Sequence, residues 1–331
     1  MTMTLKTTFL GAAAALALTS GAALAEPAII FDLGGKFDKS FNESSFTGAE
    51  RWKEETGGSY RDVELQSDAQ REQALRRFAE NGFNPIVMAG FSFASALETV
   101  AADFPDTKFT IIDGAVEAPN VRSVVFKEEE GSYLAGIAAA YAAEGNTVSF
   151  VGGMDIPLIS KFACGYAEGF KSVKPEGRVI VNMTGTTPAA WNDPVKGGEL
   201  TRAQKAAGSE VVFAAAGGTG LGVLQTAADE DMLAIGVDSN QNYLQPGHVL
   251  TSMVKRVDNA VYDAFTQGEE LQTGLIVMGL ENEGVALAMD EYNADLITEE
   301  MQAAINEATQ KIVSGEIVVH DYMSDDSCPA F

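Results

Sequence analysis

The chain has few of the residues that usually carry catalysis or hold a metal ion. Only two histidines, His248 and His320, occur in 331 residues. No Cys/His pair has the spacing of metal ligands. The G-x-S-x-G motif of many hydrolases is absent, and both histidines lie far from any Ser or Cys motif. We therefore expect neither a metal site nor a cofactor, and an enzyme is the weaker class of function.

Positive charge is also scarce. The 22 Lys and Arg residues are outnumbered by 47 Asp and Glu, which gives a formal net charge of −25. Removing Lys6 together with the first 25 residues makes the net charge −26. Such a surface repels nucleic acid and anionic membranes and favours a neutral or cationic partner. The sequence thus predicts no nucleic-acid partner.

The sequence has no apolar run of the length that a membrane helix needs. The run 9–18 is about half of the roughly 20 residues required. It follows Lys6 and precedes the small-x-small tripeptide 23–25, the pattern that signal peptidase recognises. We expect residues 1–25 to be a signal peptide; the alternative is a buried alanine-rich helix. No cysteine lies near the cut, so we expect a protein without a lipid anchor, soluble in the periplasm.

Two cysteines, Cys164 and Cys328, are present. In an oxidising compartment an isolated pair can close a disulfide. The bridge would attach the final "DDSCPAF" to the middle of the chain. The alternative is one buried and one exposed free thiol.

The chain alternates short apolar runs with segments of helical periodicity. "AIIFDLG", "NPIVMAG" and "KFTIIDG" in the first half have counterparts in "TVSFVGG", "RVIVNMTG", "EVVFAAAGG" and "MLAIGVDS". This βαβα pattern predicts parallel sheets covered by helices on both faces. The 306 residues after the expected cut exceed what one core usually supports. We therefore expect an α/β protein of two similar lobes, with about four strands in each.

Polar residues and glycines cluster where these predicted strands end. In open parallel sheets, ligands bind beyond the carboxyl ends of the strands. Two lobes whose strand ends face each other would form a cleft lined by both sets. The clusters are Asp32–Gly35, residues 89–92, Asp113–Gly114, residues 217–220 and residues 238–240.

The first of these loops, "DLGGKFDKSFN", has two interpretations. As structure alone, Gly34-Gly35 forms a turn and Asp38 or Ser40 caps the next helix. That interpretation leaves Phe41 beside Asn42 unexplained, because an aromatic residue in a polar loop has nothing to bury against. A flat ring with polar neighbours suits a planar, heteroatom-rich ligand. We favour a binding role.

The glycine-rich stretch "AAAGGTGLGVLQTA" invites a dinucleotide interpretation, because it follows a strand and opens a helix. A G-x-G-x-x-G motif starting at Gly218 would need glycine at position 223, which is Val223. The remaining possibilities are backbone N–H groups offered to a polar ligand and close helix–sheet packing.

One enzymatic alternative comes from the paired acids Asp32 and Asp38. These carboxylates could hold a calcium ion, as in nucleoside hydrolases, although those enzymes carry a denser aspartate cluster at the first strand. Catalysis on a nucleoside therefore stays open as the less favoured hypothesis.

Several motifs together resemble the basic membrane protein (BMP) family, the purine-nucleoside-binding components of ABC importers. They are "FDLGGKFDKSFNESSFTGAERW", "MAGFSFASAL", "IIDG", "EEEGSYLAGIAAA", "AGGTGLGVLQTA", "GVDSNQ" and "TSMVKRVDNAV". The resemblance implies a two-lobed type I periplasmic-binding-protein fold with three crossovers. It places residues 26–126 plus 251–278 in the N-terminal lobe and 127–250 plus 279–331 in the C-terminal lobe.

The resemblance also implies a function. A purine nucleoside would bind between the lobes of a monomer, and ABC transporter membrane subunits would receive it. The alternatives are a binding protein for another small neutral ligand, such as a free base or a sugar, and the hydrolase considered above.

Roles for individual residues follow from the same resemblance. Phe41 resembles the aromatic that stacks on the purine, and Asn42 and Asp113 resemble partners of its edge. Asp238 and Lys255 resemble a pair that grips the ribose hydroxyls. The other expected ligand-binding residues are Asp32 and Ser40 near the purine edge, Gly90 and Phe91 at a strand end, Gly218 and Gly220 near the sugar, and Trp191 or Phe213 as a second aromatic face.

Overall fold

The computed structural model describes residues 25–331 and contains two six-stranded sheets. The signal-peptide prediction falls on residues 1–24, outside the described part, and on Ala25. The strands are β1 (Ala28–Phe31), β2 (Arg61–Glu64), β3 (Ile86–Ala89), β4 (Phe109–Ile112), β5 (Val121–Phe126), β6 (Thr147–Met154), β7 (Arg178–Gly185), β8 (Val211–Ala215), β9 (Leu233–Asp238), β10 (Val249–Lys255), β11 (Gly274–Met278) and β12 (Val285–Leu287).

Helices cover both sheets. They are α1 (Phe41–Thr56), α2 (Arg71–Glu80), α3 (Ala94–Asp103), α4 (Glu128–Ala142), α5 (Pro157–Val173), α6 (Pro194–Ala206), α7 (Thr219–Asp229), α8 (Val257–Gln267) and α9 (Glu299–Val313). The helices pack in groups: α1 with α8 and α2 with α3 around the first sheet, and α4 with α5 and α9 and α6 with α7 around the second. The expected α/β two-lobed architecture is confirmed.

The first sheet has the strand order β11-β5-β4-β3-β1-β2, and all its pairings are parallel. The second has the order β12-β10-β9-β8-β6-β7, with only β12 antiparallel to its neighbour. Its central strands are fully buried apolar runs, as expected when helices lie on both faces. The edge strands β2 and β11 were not predicted: β2 is polar and largely exposed, whereas β11 carries the apolar run 275–278 on an exposed edge.

One predicted lobe boundary needs correction. Residues 251–255 were assigned to the N-terminal lobe, but they belong to β10, which pairs with β9 in the second sheet. The chain therefore crosses between lobes after Lys255 rather than after Leu250. The other crossovers follow Phe126 and Met278. Hydrophobic periodicity identifies a strand but does not say which sheet it joins.

Helices α4 and α5 pack unusually closely. A Cβ on Gly136 would lie 2.1 Å from the Tyr166 carbonyl oxygen, and one on Gly169 would lie 1.9 Å from the Tyr133 oxygen. Only glycine allows this approach. The contact fixes α5 against the first helix after the crossover from β5, and the first turns of α5 reach the cleft between the lobes.

The structure joins Cys164 and Cys328 in a disulfide, the first of the two alternatives that the sequence left open. Cys164 is fully buried on α5. Lys171, on the same helix, donates a hydrogen bond to the Ala330 carbonyl oxygen. The last residues are therefore held along α5 by one covalent and one polar contact.

Candidate ligand-binding site between the lobes

A cavity lies where the strand ends of the two lobes face each other, with about 90 Å³ accessible to a water molecule. Loops after β1, β3 and β4 supply one wall, and loops after β8, β9 and β10 supply the other, together with the first turns of α5. The location agrees with the cleft predicted from the polar strand ends.

Most of the residues proposed from the sequence line this cavity. They are Asp32, Phe41, Asn42, Gly90, Phe91, Asp113, Trp191, Asp238 and Lys255. Four others, Ser40, Phe213, Gly218 and Gly220, lie outside its wall.

The two candidates for a second aromatic face lie in different places. Phe213 is fully buried and packs against Phe150 and Tyr166, with ring centroids 5.4 Å away in each case. It belongs to the core of the second lobe. Trp191 lines the cavity, and its ring lies over Gly153, where a Cβ would approach the ring to 2.1 Å. The structure therefore places Trp191, and not Phe213, opposite the first lobe.

The carboxylate of Asp38 caps helix α1. It accepts hydrogen bonds from the backbone N–H groups of Ser40 (2.8 Å), Asn42 (3.0 Å) and Glu43 (3.1 Å). This leaves the Ser40 hydroxyl free to donate to Asp238 in the other lobe. Of the two capping residues considered, Asp38 performs the capping, and it also lines the cavity.

The glycine-rich loop after β8 contributes Gly217 to the cavity rather than Gly218 or Gly220. Gly217 has φ +55°, a left-handed conformation that favours glycine. A Cβ on Gly217 or Gly218 would lie 3.4 or 3.3 Å from the Trp191 carbonyl oxygen. Both glycines therefore allow the loop to pack closely on Trp191.

Two side chains that line the cavity carry buried acceptor atoms without hydrogen-bond partners in the described part of the chain. Asn42 donates through Nδ2 to the carbonyl oxygens of Asp32 (3.3 Å) and Gly35 (3.1 Å), which fixes the orientation of its amide. Among residues 25–331, no group donates to the buried Asn42 Oδ1 or to the buried Asp113 Oδ1. Since a buried acceptor without a donor is costly, these atoms suit a ligand that carries N–H or O–H groups.

Lys255 is the buried cation of the site. Its Nζ lies 2.6 Å from Asp113 Oδ2 and 3.0 Å from Glu128 Oε1. Burial would lower the pKa of the Lys255 ammonium, but these carboxylates and Asp238 outweigh that effect and raise it. Lys255 forms its ion pairs with Asp113 and Glu128 and not with Asp238, the partner expected from the sequence; Asp238 accepts a hydrogen bond from the Ser40 hydroxyl.

Aromatic rings surround the same ammonium group. The centroids of Phe41, Phe126 and Phe162 lie 5.2, 5.0 and 5.6 Å from Lys255 Nζ. Each distance is within the range of a cation–π interaction. The ring proposed to stack on a ligand and the cation proposed to bind it are therefore neighbours.

Asp113 and Asp238 occupy corresponding places at the ends of β4 and β9. Both have a left-handed backbone, with φ of 63° and 64°. Such strained conformations in residues other than glycine concentrate at functional sites. Burial raises the pKa of Asp113 to about 6, although Lys255 opposes the rise. Burial also raises the pKa of Asp238.

The lobes contact each other at the mouth of the cavity. Ser239 donates to the Ser40 carbonyl oxygen at 2.9 Å, and Gln241 donates to the Lys39 carbonyl oxygen at 2.9 Å. The Ser40–Asp238 hydrogen bond and the Asp113–Lys255 ion pair also join the two lobes. This arrangement is a closed one.

The proposed calcium pair does not form a shared site. Asp32 accepts from Arg71 Nη2 at 2.6 Å, and the Asp38 carboxylate is occupied by the backbone of α1. Gly90 allows Asp32 to lie close, since a Cβ there would approach Asp32 Oδ2 to 3.0 Å. Both carboxylates therefore accept hydrogen bonds from other groups of the protein.

Several cavity residues were not among the individual binding residues proposed from the sequence. Most are apolar and belong to the interiors of helices or strand ends, where their composition resembles that of ordinary core. They are Leu33, Asp38, Ala89, Leu158, Ile159, Phe162, Ala215, Ala216, Gly217 and Val237. Leu33, Ala89 and Gly217 lie in the strand-end clusters expected to line the cleft, and Asp38 lies in the first loop.

Comparison with known proteins identifies the class. The family described as "ABC transporter substrate-binding protein PnrA-like" (Bmp) matches residues 26–322. The "ABC transporter nucleoside-binding protein BmpA" of Lactococcus lactis is 33% identical over 318 residues, 88% of each chain. An uncharacterized lipoprotein of Pyrococcus abyssi is 33% identical and covers 78% of this chain and 67% of its own.

Solved structures agree on the fold. A solute-binding protein of an ABC transporter system from Aeropyrum pernix superposes with a TM-score of 0.82 at 27% identity, covering 91% of this chain and 95% of its own. The protein described here is a substrate-binding component of an ABC transporter. It belongs to the Bmp family, as the sequence motifs indicated. Within residues 25–331, no helix is both long and apolar enough to span a membrane.

Proposed function

We propose that this protein captures purine nucleosides between its lobes and delivers them to an ABC importer. The observation that carries the proposal is the combination of Phe41 and Trp191 with the unpartnered acceptors Asn42 Oδ1 and Asp113 Oδ1. Aromatic faces provide affinity for a planar base, and fixed acceptors select a base that donates hydrogen bonds. The name of the Lactococcus lactis relative supports a nucleoside ligand.

The mechanism is closure around the ligand. Hydrogen bonds between the lobes at the mouth stabilise the closed form, and a ligand that contacts both walls adds to that stability. The ribose would lie near Asp238 and Lys255.

We further propose that the mature chain is a monomer that diffuses in the periplasm. The Pyrococcus relatives are called lipoproteins, so the mature N-terminus needs to be determined by mass spectrometry.

Calorimetry with adenosine, guanosine, inosine, their free bases, their 5′-monophosphates and a set of sugars tests the proposal. We expect nucleosides to bind with micromolar or tighter affinity without release of base. Monophosphates should bind poorly, because the cavity presents four aspartates and one lysine that is already paired. Binding of sugars but not nucleosides would contradict the proposal, and release of base from inosine would favour the hydrolase.

Phe41→Ala should weaken nucleoside binding by about 1–3 kcal/mol, the range observed for base–aromatic stacking. The melting temperature of the ligand-free protein should change little, whereas a core phenylalanine would cost about 3–5 kcal/mol of stability. Phe41→Trp should retain much of the affinity. Phe37→Ala is the control, since Phe37 is 62% exposed and meets the Phe46 ring edge to face. Normal binding by a Phe41→Ala protein with a much lower melting temperature would contradict this role.

Nucleoside affinity should fall on acidification because of Asp113. The ionised carboxylate accepts a ligand donor better than the protonated acid, so ligand binding lowers the pKa and releases a proton. With a ligand-free pKa of about 6, affinity should be highest above this pH. It should fall by up to about tenfold per unit below it. Asp113→Asn should bind more weakly near neutrality but with a flatter profile. A wild-type dissociation constant that stays constant from about pH 5 to 8 would refute the assignment.

A further inference from the structure

A row of buried, alternating charges leads away from the cavity through Lys161. This residue lies on α5 and is only 6% exposed. Its Nζ is 3.1 Å from Glu128 Oε2 and 3.1 Å from Glu129 Oε2, and it donates to the Phe126 carbonyl oxygen at 2.8 Å. Lys161 is not among the residues that line the cavity.

Glu128 connects this lysine to the site. It is the first residue of α4, directly after a crossover, and it is 1% exposed. One carboxylate oxygen is 3.0 Å from Lys255 Nζ, and the other is 3.1 Å from Lys161 Nζ. The Lys255 ammonium lies between Glu128 and Asp113. Its position therefore depends on the Glu128 carboxylate, whose other oxygen is held by Lys161.

We propose that Lys161 and Glu128 are positioning residues for ligand binding: Lys161 keeps Glu128 ionised and oriented, and Glu128 holds the Lys255 ammonium where it meets the ligand. The proposal rests on the proposed function, in which Lys255 contacts a nucleoside. It assigns a positioning role to two side chains that both lie outside the cavity wall.

The charges around these groups explain why Lys161 is needed. Lys161 contacts Glu128 and Glu129, with Asp321 at 3.8 Å. Lys255 contacts Asp113 and Glu128, and Asp238 acts on it at longer range. Burial raises the pKa of Glu128, but the two lysines outweigh burial and hold that pKa below its usual range. Without Lys161, burial would favour the protonated acid, and Lys255 would lose one of its two anionic contacts.

The experiment measures adenosine and guanosine dissociation constants at about pH 5.5 and about pH 8. Lys161→Met should weaken binding by about tenfold or more, as expected when a charge-assisted contact is lost. The ratio of variant to wild-type dissociation constants should be larger at the lower pH, because Glu128 then becomes protonated.

Two further variants distinguish a positioning role in binding from a general loss of stability. Lys161→Arg keeps the charge and should bind within about threefold of wild type, a change of less than 1 kcal/mol. Glu128→Gln should lose a similar amount of affinity to Lys161→Met, but its ratio to wild type should change less between the two pH values, because the amide does not titrate. The control is Lys174→Met, at the end of the same helix. Lys174 donates to the carbonyl oxygens of Ala143 and Gly145, so its loss should lower stability and leave affinity unchanged.

Normal binding by both Lys161→Met and Glu128→Gln at both pH values would overturn the inference. If Lys161→Met does not fold, Glu128→Gln decides: reduced affinity supports the inference and unchanged affinity refutes it. A wild-type protein that binds no nucleoside would overturn the proposed function as well. A wild-type protein that binds normally alongside unaffected variants would refute the positioning role alone.

Discussion

Replacing Lys255 by methionine should lower the free energy of unfolding of the ligand-free protein by about 3–5 kcal/mol, as when one partner of a buried ion pair is removed. Lys255 is 2% exposed and lies within 3.0 Å of carboxylate oxygens on Asp113 and Glu128. Without the ammonium, Asp113 and Glu128 stay buried, and less positive charge lies nearby to offset their negative charges. Urea denaturation at about pH 8 measures the loss.

The same variant should be less impaired at acidic pH. The pKa of Asp113, already raised to about 6 by burial, would rise further without Lys255, so acidification neutralises the unpaired carboxylates. Lys311→Met is the control, because Lys311 forms a surface ion pair with Glu307 at 2.7 Å. Surface pairs contribute little, so its stability should stay close to wild type. A Lys255→Met protein as stable as the control would show that the charge network is not needed for folding.

Removing the disulfide should lower stability by up to about 5 kcal/mol. Cys164 and Cys328 are separated by 164 residues, so the bridge closes a long loop and restricts the unfolded chain strongly. The double variant Cys164→Ala/Cys328→Ala is preferable to serine, because position 164 is fully buried and a serine hydroxyl there would lack room for water. Denaturation of the variant and of oxidised wild type gives the difference.

Hydrogen exchange should locate the effect of this variant at the C-terminal residues and along α5, which the tail covers. Because the first turns of α5 line the cavity, nucleoside affinity should be measured in parallel. Wild type treated with a reductant under native conditions should behave as the double variant does. Equal stability of the oxidised protein and the double variant would contradict a stabilising bridge.

The sequence could predict the α/β class because the strands of parallel sheets are buried on both faces. Runs such as those of β3 and β8 are continuous and apolar, and helical periodicity separates them. The same reasoning located the cavity, since strand ends of parallel sheets meet at one edge. The edge strand β2 is polar and carried no such signal, whereas β11 has an apolar run although its side chains are exposed.

The choice between Trp191 and Phe213 could not be made from the sequence. A residue of a parallel strand faces one of two covered surfaces, and both surfaces are apolar. The contacts of Phe213 with Phe150 and Tyr166 place its ring in the core. Trp191 reaches the cavity because Gly153, distant in the sequence, leaves space for its ring.

The sequence by itself determined the two-lobed class, the first loop with Phe41 and Asn42, and the glutamates and lysines available for pairing. Only the tertiary structure decided that Lys255 pairs with Asp113 and Glu128 and that Lys161 contacts the other oxygen of Glu128. It also decided that β10 joins the second sheet. The physical reason is the separation along the chain over which each interaction acts. Periodicity and turn chemistry act between neighbours in the chain, whereas a buried charge must be compensated by whichever opposite charge the fold brings within about 3–4 Å.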